Sequence, residues 1–298
     1  MTPPAAGRDP KRERLVGYLA AAAIVVIWSG FIVVSRAGAR GNLGPFDLVA
    51  LRVGVSGLVL LPVYLSRRLW KGPPRQALSL MLTAGIGYGV FAYSGFAFAP
   101  AAHGAVLLPG ALPFSTALLA VLVLGDRVSR GRIAALALIL VGIVLVGWNG
   151  FAGDVPGAWR GDILFLCAST TWALYTVLVR KWRWNAIDAT ATIAVLAACA
   201  YLLVYLAWLP SKLATAPIGE IVFQGVYQGL FAVAIAGIAY TRAVEALGPI
   251  TTTSITAIVP ATAALAAWPI LGEPLSALAL GGVMLVTLGM LAGVRASR

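Results

Sequence analysis

The chain has 298 residues, of which 60% are hydrophobic and 11% charged, with a mean hydropathy of +0.93. Soluble domains run at about 45–50% apolar and about 25% charged, so a soluble globule is excluded, as are collagen-like and disordered chains. The net charge of +12 would suggest nucleic acid in a soluble protein, but in a membrane protein its placement along the chain decides its meaning.

A helix needs about 20 mostly apolar residues to cross about 30 Å of hydrocarbon. The sequence predicts an all-α polytopic membrane protein with ten transmembrane helices, over 15–37, 46–66, 77–98, 102–124, 131–150, 161–180, 186–208, 220–243, 248–270 and 275–294. The alternating pattern of a membrane barrel is absent. A basic tail, 1–14, precedes the first span. Together with Ala37-Gly38-Ala39 it imitates a cleavable signal peptide, but the apolar run exceeds the roughly 7–15 residues of a signal core. The segment is therefore expected to stay.

In span 1, Trp28, Ser29, Ile32 and Ser35 share one face. In span 2, Arg52 lies about seven residues in. An intramembrane charge is a functional candidate by default, but at that depth it can snorkel outward or pair with Asp47, and the structural role is preferred. Span 3 carries Gly85-x-x-x-Gly89, a close-packing motif, with Tyr88 and Tyr93. Gly87-Tyr88-Gly89 sits in a continuous apolar helix rather than a re-entrant loop, which argues against an ion filter. Span 4 holds His103, the single histidine. It is either a proton- or carboxylate-binding group or an interfacial side chain. Pro109 and Pro113 follow, and Pro113 is a candidate hinge.

Asp126 after Gly125, and later Glu273 before Pro274, are expected to cap the helices that follow them. Span 6 offers Trp172, Tyr175 and Thr176 on one face, and span 8 offers Gln224, Tyr227, Gln228 and Phe231. Span 9 carries Thr252, Thr253, Ser254 and Thr256, then Pro260, the second candidate hinge. A polar face in lipid must look inward. The expected substrate-binding set is thus Trp28, Tyr88, Tyr93, His103, Trp172, Tyr175, Gln224, Tyr227, Gln228 and Thr252. Helix packing is the alternative role for the tryptophans. Trp148, Trp159, Trp182, Trp184 and Trp208 sit near span ends as interfacial anchors. Glu245 is placed to pair with Arg242. Cys167 and Cys199 lie in apolar stretches and imply neither a disulfide framework nor a metal or redox site.

Basic residues orient the spans. With a cytoplasmic N-terminus, the inside collects Arg8, Lys11, Arg12 and Arg14; Arg67, Arg68, Lys71 and Arg75; Arg127, Arg130 and Arg132; Arg180, Lys181 and Arg183; Arg242; and Arg295 with Arg298. Outside stand only Arg36, Arg40, Arg160 and Lys212. Both termini are therefore expected in the cytoplasm. The charge records topology and attraction to anionic lipid heads, and no nucleic acid partner is implied.

The two halves repeat. Trp28 and Arg36 match Trp172 and Arg180; Pro45-Phe46-Asp47 matches Ala186-Ile187-Asp188. Gly85 and Gly89 match Gly225 and Gly229; Pro113, Gly125-Asp126 and Gly142 match Pro260, Gly272-Glu273 and Gly289. Five spans per copy, an odd number, turn the second copy upside-down. The expected organisation is the tail 1–14, a first repeat 15–150 and a second, inverted repeat 151–298. Inverted repeats characterise transporters that expose a central site alternately to each side.

These features resemble the EamA-type carriers of the drug/metabolite transporter superfamily. The likeness rests on Ala239-Tyr240-Thr241-Arg242-Ala243 through Pro260, Leu271-Gly272-Glu273-Pro274 and the Gly-rich last helix. In the first half it rests on Trp28-Ser29, Arg52 and a looser Leu124-Gly125-Asp126, with Asp where the family usually has Glu. The resemblance implies two inverted five-helix repeats around a central cavity and export of small metabolites, commonly amino acids. A closer likeness is to bacterial aromatic amino acid exporters.

No carboxylate is expected at mid-membrane, because all ten Asp and Glu lie in the tail, loops or span ends. Facilitated diffusion by alternating access follows as the expected mechanism in the cell inner membrane. Proton-driven efflux of drugs or amphiphilic cations is the competitor, ahead of a channel. No Walker loop, GxSxG or HExxH motif points to catalysis, and no cofactor or metal is implied. The sequence leaves the oligomeric state open, and a monomer is compatible with it.

Overall fold

A computed structural model describes residues 10–152 and 155–296. Most of the basic tail with Arg8, residues 153–154 between the halves, and Arg298 lie outside the described residues. The ten helices are α1 (Pro10–Arg40), α2 (Pro45–Ser66), α3 (Pro74–Phe98), α4 (Ala101–Leu124), α5 (Arg130–Ala152), α6 (Ala158–Trp182), α7 (Ala186–Trp208), α8 (Ile218–Leu247), α9 (Pro249–Leu271) and α10 (Ala277–Arg295). All ten are long and apolar enough to cross a membrane, and no strand occurs among the described residues. Helix α1 begins five residues before its apolar run and carries Lys11 to Arg14 on its first turns.

Three spans depart from plain α-helix. Met81–Gly87 in α3 and Val226–Ile235 in α8 wind as π-helix, at the matched glycine pairs of the two repeats. π-turns inside α-helices concentrate at functional sites. Helix α9 breaks at Ala257 and Ile258 and restarts at Val259, with Pro260 in the first turn of the new segment. There the missing N–H costs no intrahelical bond. Pro109 and Pro113, by contrast, lie inside an unbroken α4. Helices α4 and α9 both end in left-handed glycines, Gly125 (φ 73°) and Gly272 (φ 66°), a conformation that a Cβ disfavours.

The packing exchanges the halves. Helices α2 and α5 lie against their own counterparts, α7 and α10; α1 lies on α8 and α9 as α6 lies on α3 and α4. The α5–α10 seam shows the operation residue by residue. A Cβ on Gly142 would meet the Gly282 carbonyl at 2.8 Å and Val286, while one on Gly289 would meet the Ala135 carbonyl at 3.1 Å and Ile139. Adding 147 to 135, 139 and 142 gives 282, 286 and 289, so the contact maps onto itself. Small residues let two backbones approach where lipid supplies no hydrophobic force.

Helices alternate in direction, so the bundle has a near end, where α1 begins, and a far end, where α1 finishes. Phe31, Leu48, Tyr93, Phe96 and Phe165 join the main apolar core, in which the far halves of α1 and α3 meet the first turns of α2 and α4.

Candidate functional site

Among the ion pairs at the two ends of the bundle, one at each end is related to the other by the repeat. At the far end, Arg36 Nε donates to Glu273 Oε1 at 2.7 Å and Arg36 Nη1 donates to the Phe96 carbonyl at 2.5 Å. Glu273 Oε2 accepts from the Ala101 amide at 2.7 Å, and Arg40 reaches the other oxygen at 3.2 Å. This knot ties α1, α3, α4 and the α9–α10 loop together. The Arg36 and Glu273 side chains are only 9% and 12% exposed. At the near end the matched residues, Arg180 and Asp126, pair at 2.5 Å, but they are 64% and 33% exposed.

That geometry corrects the expected capping roles. Ser276 caps α10 by accepting from the Ala279 amide, and Ser129 accepts from the Arg132 amide at the start of α5. Glu273 instead caps α4, a helix distant in sequence, and Asp126 serves Arg180. A carboxylate at an N-terminal amide gains from the helix dipole whichever helix supplies it.

Behind the far-end knot runs a buried chain of neutral polar groups. Tyr93 Oη donates to Gln228 Oε1 at 2.9 Å. Gln228 Nε2 donates to Ser35 Oγ at 3.1 Å and Gln224 Oε1 at 3.2 Å, and Gln224 Nε2 donates to the Val34 carbonyl at 2.9 Å. Tyr227 Oη donates to the Ile27 carbonyl at 3.2 Å over Gly30, and Gly38 leaves room for Gln224. Buried amides must be paired, so these groups clamp α8 onto α1 and α3. Tyr93, Gln224 and Gln228 are brought together, each fully enclosed, and the meeting of Tyr93 with the span 8 face is one that helical spacing did not foresee.

Three aromatic candidates, Tyr88, Trp172 and Tyr175, gather where α3 meets α6. Tyr88 and Trp172 lie 4.8 Å apart between ring centroids, and Trp172 and Tyr175 5.2 Å. Trp172 and Tyr175 line a cavity of about 50 Å³, which Arg52, Ser56, Thr190 and Val233 also border. That void is far smaller than an amino acid. Arg52 does not pair with Asp47, whose oxygens accept from the Tyr205 hydroxyl and from the Gly44 and Lys212 amides. The guanidinium carbon sits 5.5 Å from the Phe31 ring centroid and 5.7 Å from that of Tyr88.

The remaining candidates go elsewhere. Trp28 stacks on Tyr240 at 5.7 Å, between α1 and α8. Thr252 bonds the Gly248 carbonyl of its own helix. His103 is buried, with Nδ1 2.7 Å from Asp162 Oδ1, while Asp162 Oδ2 is buried without a partner. Asp47 and Asp162 occupy span ends, as composition suggests, but both are buried. Sequence reasoning did not find Asp162, the Arg36–Glu273 knot or the aromatic setting of Arg52. The matched positions 36 with 180 and 126 with 273 held the signal for the knot, had they been read as pairs. As expected, Arg242 reaches Glu245, at 3.4 Å, and it also bonds Glu13 at 2.7 Å.

The family model described as the EamA-like transporter family matches this chain twice, at residues 15–148 and 159–294. The chain belongs to that family. It is a multi-pass membrane protein built from two copies of the EamA unit, and it carries small molecules across a membrane. It is 22% identical over 262 residues to the "Uncharacterized transporter YyaM" of Bacillus subtilis (strain 168), covering 84% of this chain and 85% of that one. A solved crystal structure superposes with a TM-score of 0.65 at 20% identity, over 96% of this chain and 99% of the other. That likeness shows the fold.

Proposed function

We propose that this carrier exports amino acids and similar small zwitterionic or apolar metabolites across the cell inner membrane by alternating access. The single observation that carries the reading is the repeat-related ion pair at each end of the bundle, buried at one end and exposed at the other. Two gates of the same design, unequally sealed, are what a carrier needs to open one side at a time. The positive-inside distribution supports a cytoplasmic near end with both termini inside. Pro113 and the Pro260 break in α9 are the hinges of this reading.

The Tyr88–Trp172–Tyr175 cluster favours cargo with an aromatic or apolar side chain, since stacked rings reward such groups. Among the described residues no Asp or Glu borders the cavity, which favours facilitated diffusion. The test is a panel of radiolabelled amino acids in proteoliposomes holding the purified chain. Aromatic members are expected to exchange fastest, and Trp172→Ala or Tyr88→Ala to slow them at least tenfold. Unchanged rates in well-folded variants would remove the cluster from the pathway.

Proton-driven efflux is the second reading, and the buried His103–Asp162 pair favours it, because buried histidine and carboxylate groups within membrane spans form the proton relays of transporters. Under the facilitated reading, an imposed proton gradient leaves counterflow within about twofold, and Asp162→Asn does the same. Steep acceleration by the gradient, lost in Asp162→Asn, would establish coupling.

A further inference from the structure

Arg52 is an intramembrane cation with no ion-pair partner among the described residues. It is 8% exposed, and its Nη1 is buried without a hydrogen-bond partner. Its nearest candidate partner in sequence, Asp47, is saturated by Tyr205, Gly44 and Lys212. The rings of Phe31 and Tyr88 stand within 6 Å of the guanidinium carbon and the Tyr93 hydroxyl lies beside it, which leaves Nη1 as the unpartnered edge. Cation–π contact attracts the charge and orients the plane, but a ring does not replace an acceptor at the N–H edge. A buried charge left in that condition is costly, and within a membrane such residues mark substrate pathways.

The same residue borders the cavity that Trp172 and Tyr175 line. Its volume of about 50 Å³ suits a small polar group or a water or two, and not a whole metabolite. The walls away from Arg52 are mostly apolar, with Ile193, Ala194 and Ala197 from α7 and Val233 from the π-helical part of α8, and with Ser56 and Thr190 as neutral polar exceptions. Guanidinium is a planar fork of donors that matches a carboxylate with two parallel hydrogen bonds. A cationic head would meet Arg52 as a like charge, with no carboxylate in the cavity wall among the described residues.

We propose that Arg52 is the cargo-carboxylate anchor of this carrier. The carboxylate completes the Nη1 hydrogen bonding inside the cavity, and the apolar remainder of the cargo comes to lie against Trp172 and Tyr175 as the bundle opens around the cavity they share with Arg52. The inference rests on the transport reading above and sharpens it: the carboxylate is the required group, and the amino group is dispensable.

Four probes separate the possibilities: phenylalanine, 3-phenylpropionate, phenylalaninamide and phenethylamine. In proteoliposomes of the full chain, the two acids are expected to exchange at least tenfold faster than the amide or the amine. Arg52→Gln is expected to slow both acids at least tenfold and erase the preference, and Arg52→Lys to restore part of it. Preference for acids that survives in Arg52→Gln overturns the proposal, as does a wild type that carries phenethylamine as fast as 3-phenylpropionate.

A melting curve of the wild type in detergent decides the matter should Arg52→Gln not fold. 3-Phenylpropionate must raise the melting temperature and 3-phenylpropanamide must not; equal shifts, or none, overturn the anchor. Stabilisation by 3-phenylpropionate without transport of any amino acid would sink the amino acid reading and leave the Arg52 site standing. Transport of phenylalanine indifferent to Arg52→Gln would do the reverse.

Discussion

Glu273→Gln is expected to unseal the far end of the carrier. The substitution keeps the shape and an acceptor for the Ala101 amide but removes the charge that faces Arg36. Arg36 then remains nearly buried, with the Phe96 carbonyl as its surviving partner. Breaking one side of a buried pair costs about 3–5 kcal/mol. That charge is released by moving the end of α1 into water, so the substitution shifts the balance toward a far-open state. At 1.4 kcal/mol per factor of ten, a shift of about 3 kcal/mol raises the far-open population by more than a hundredfold.

A single cysteine at Ser35, buried one residue before Arg36, reports it in a background with Cys167 and Cys199 replaced by serine. An impermeant maleimide added from the far side is expected to label it at least tenfold faster in Glu273→Gln. Asp126→Asn, acting on the exposed repeat-related pair, is expected to change labelling and transport by less than about fivefold, since exposed pairs contribute about 0–1 kcal/mol. Equal effects at the two positions would refute unequal gates.

The second large effect is on stability, at the α5–α10 seam. Gly142→Leu places a side chain where even a Cβ meets the Gly282 carbonyl at 2.8 Å and the Val286 amide at 3.1 Å. Backbone atoms of a packed helix cannot swing away as a flexible side chain can, so the helices must part. Overpacking of this kind costs about 1–3 kcal/mol, and here the separated seam also loses its dispersion contacts. Gly289→Leu meets the Ile139 amide at 3.0 Å and the Ala135 carbonyl at 3.1 Å, so the repeat predicts a loss of the same size. Gly147, on the same helix α5, has nothing within 4 Å of its Cβ position. Gly147→Leu is the control, expected to stay within about 0.5 kcal/mol. Melting in detergent, with size-exclusion profiles, checks all three; since Gly→Leu improves helix propensity at every site, similar losses at 142 and 147 would show that close approach at the seam is not what decides the cost.

Much of the architecture was legible from residue order. Span number follows from the length of apolar runs, and span ends agree with the structure to within a few residues for most helices. The repeat was legible because the two inverted copies kept glycines and prolines at the same spacing. The π-helical stretches were not: a wide turn depends on how α3 and α8 meet α7 and α2, as at Gly85 beneath Ala197 and Gly229 beneath Val55. Nor was the break in α9, since Pro113 and Pro260 occupy matched positions in one continuous and one interrupted helix.

The site candidates divide in the same way. Helical spacing put Gln224, Tyr227 and Gln228 on one face, but it could not say that the face would close on α1 backbone carbonyls and leave the cavity to Trp172 and Tyr175. Arg52 drew notice only as an intramembrane charge, and its nearest carboxylate in sequence proved to be engaged elsewhere.

The basic composition likewise had two layers. Charge along the chain determines an orientation, because each loop returns to one side or the other by counting spans. It does not determine which charges meet. Arg36 and Glu273 are separated by 237 positions, and Arg180 and Asp126 by 54, and sequence alone treats both as matched loop residues. Only the assembled bundle makes one pair a buried knot and the other an exposed latch, because desolvation, and with it the strength of a charge interaction, belongs to the packing around the pair.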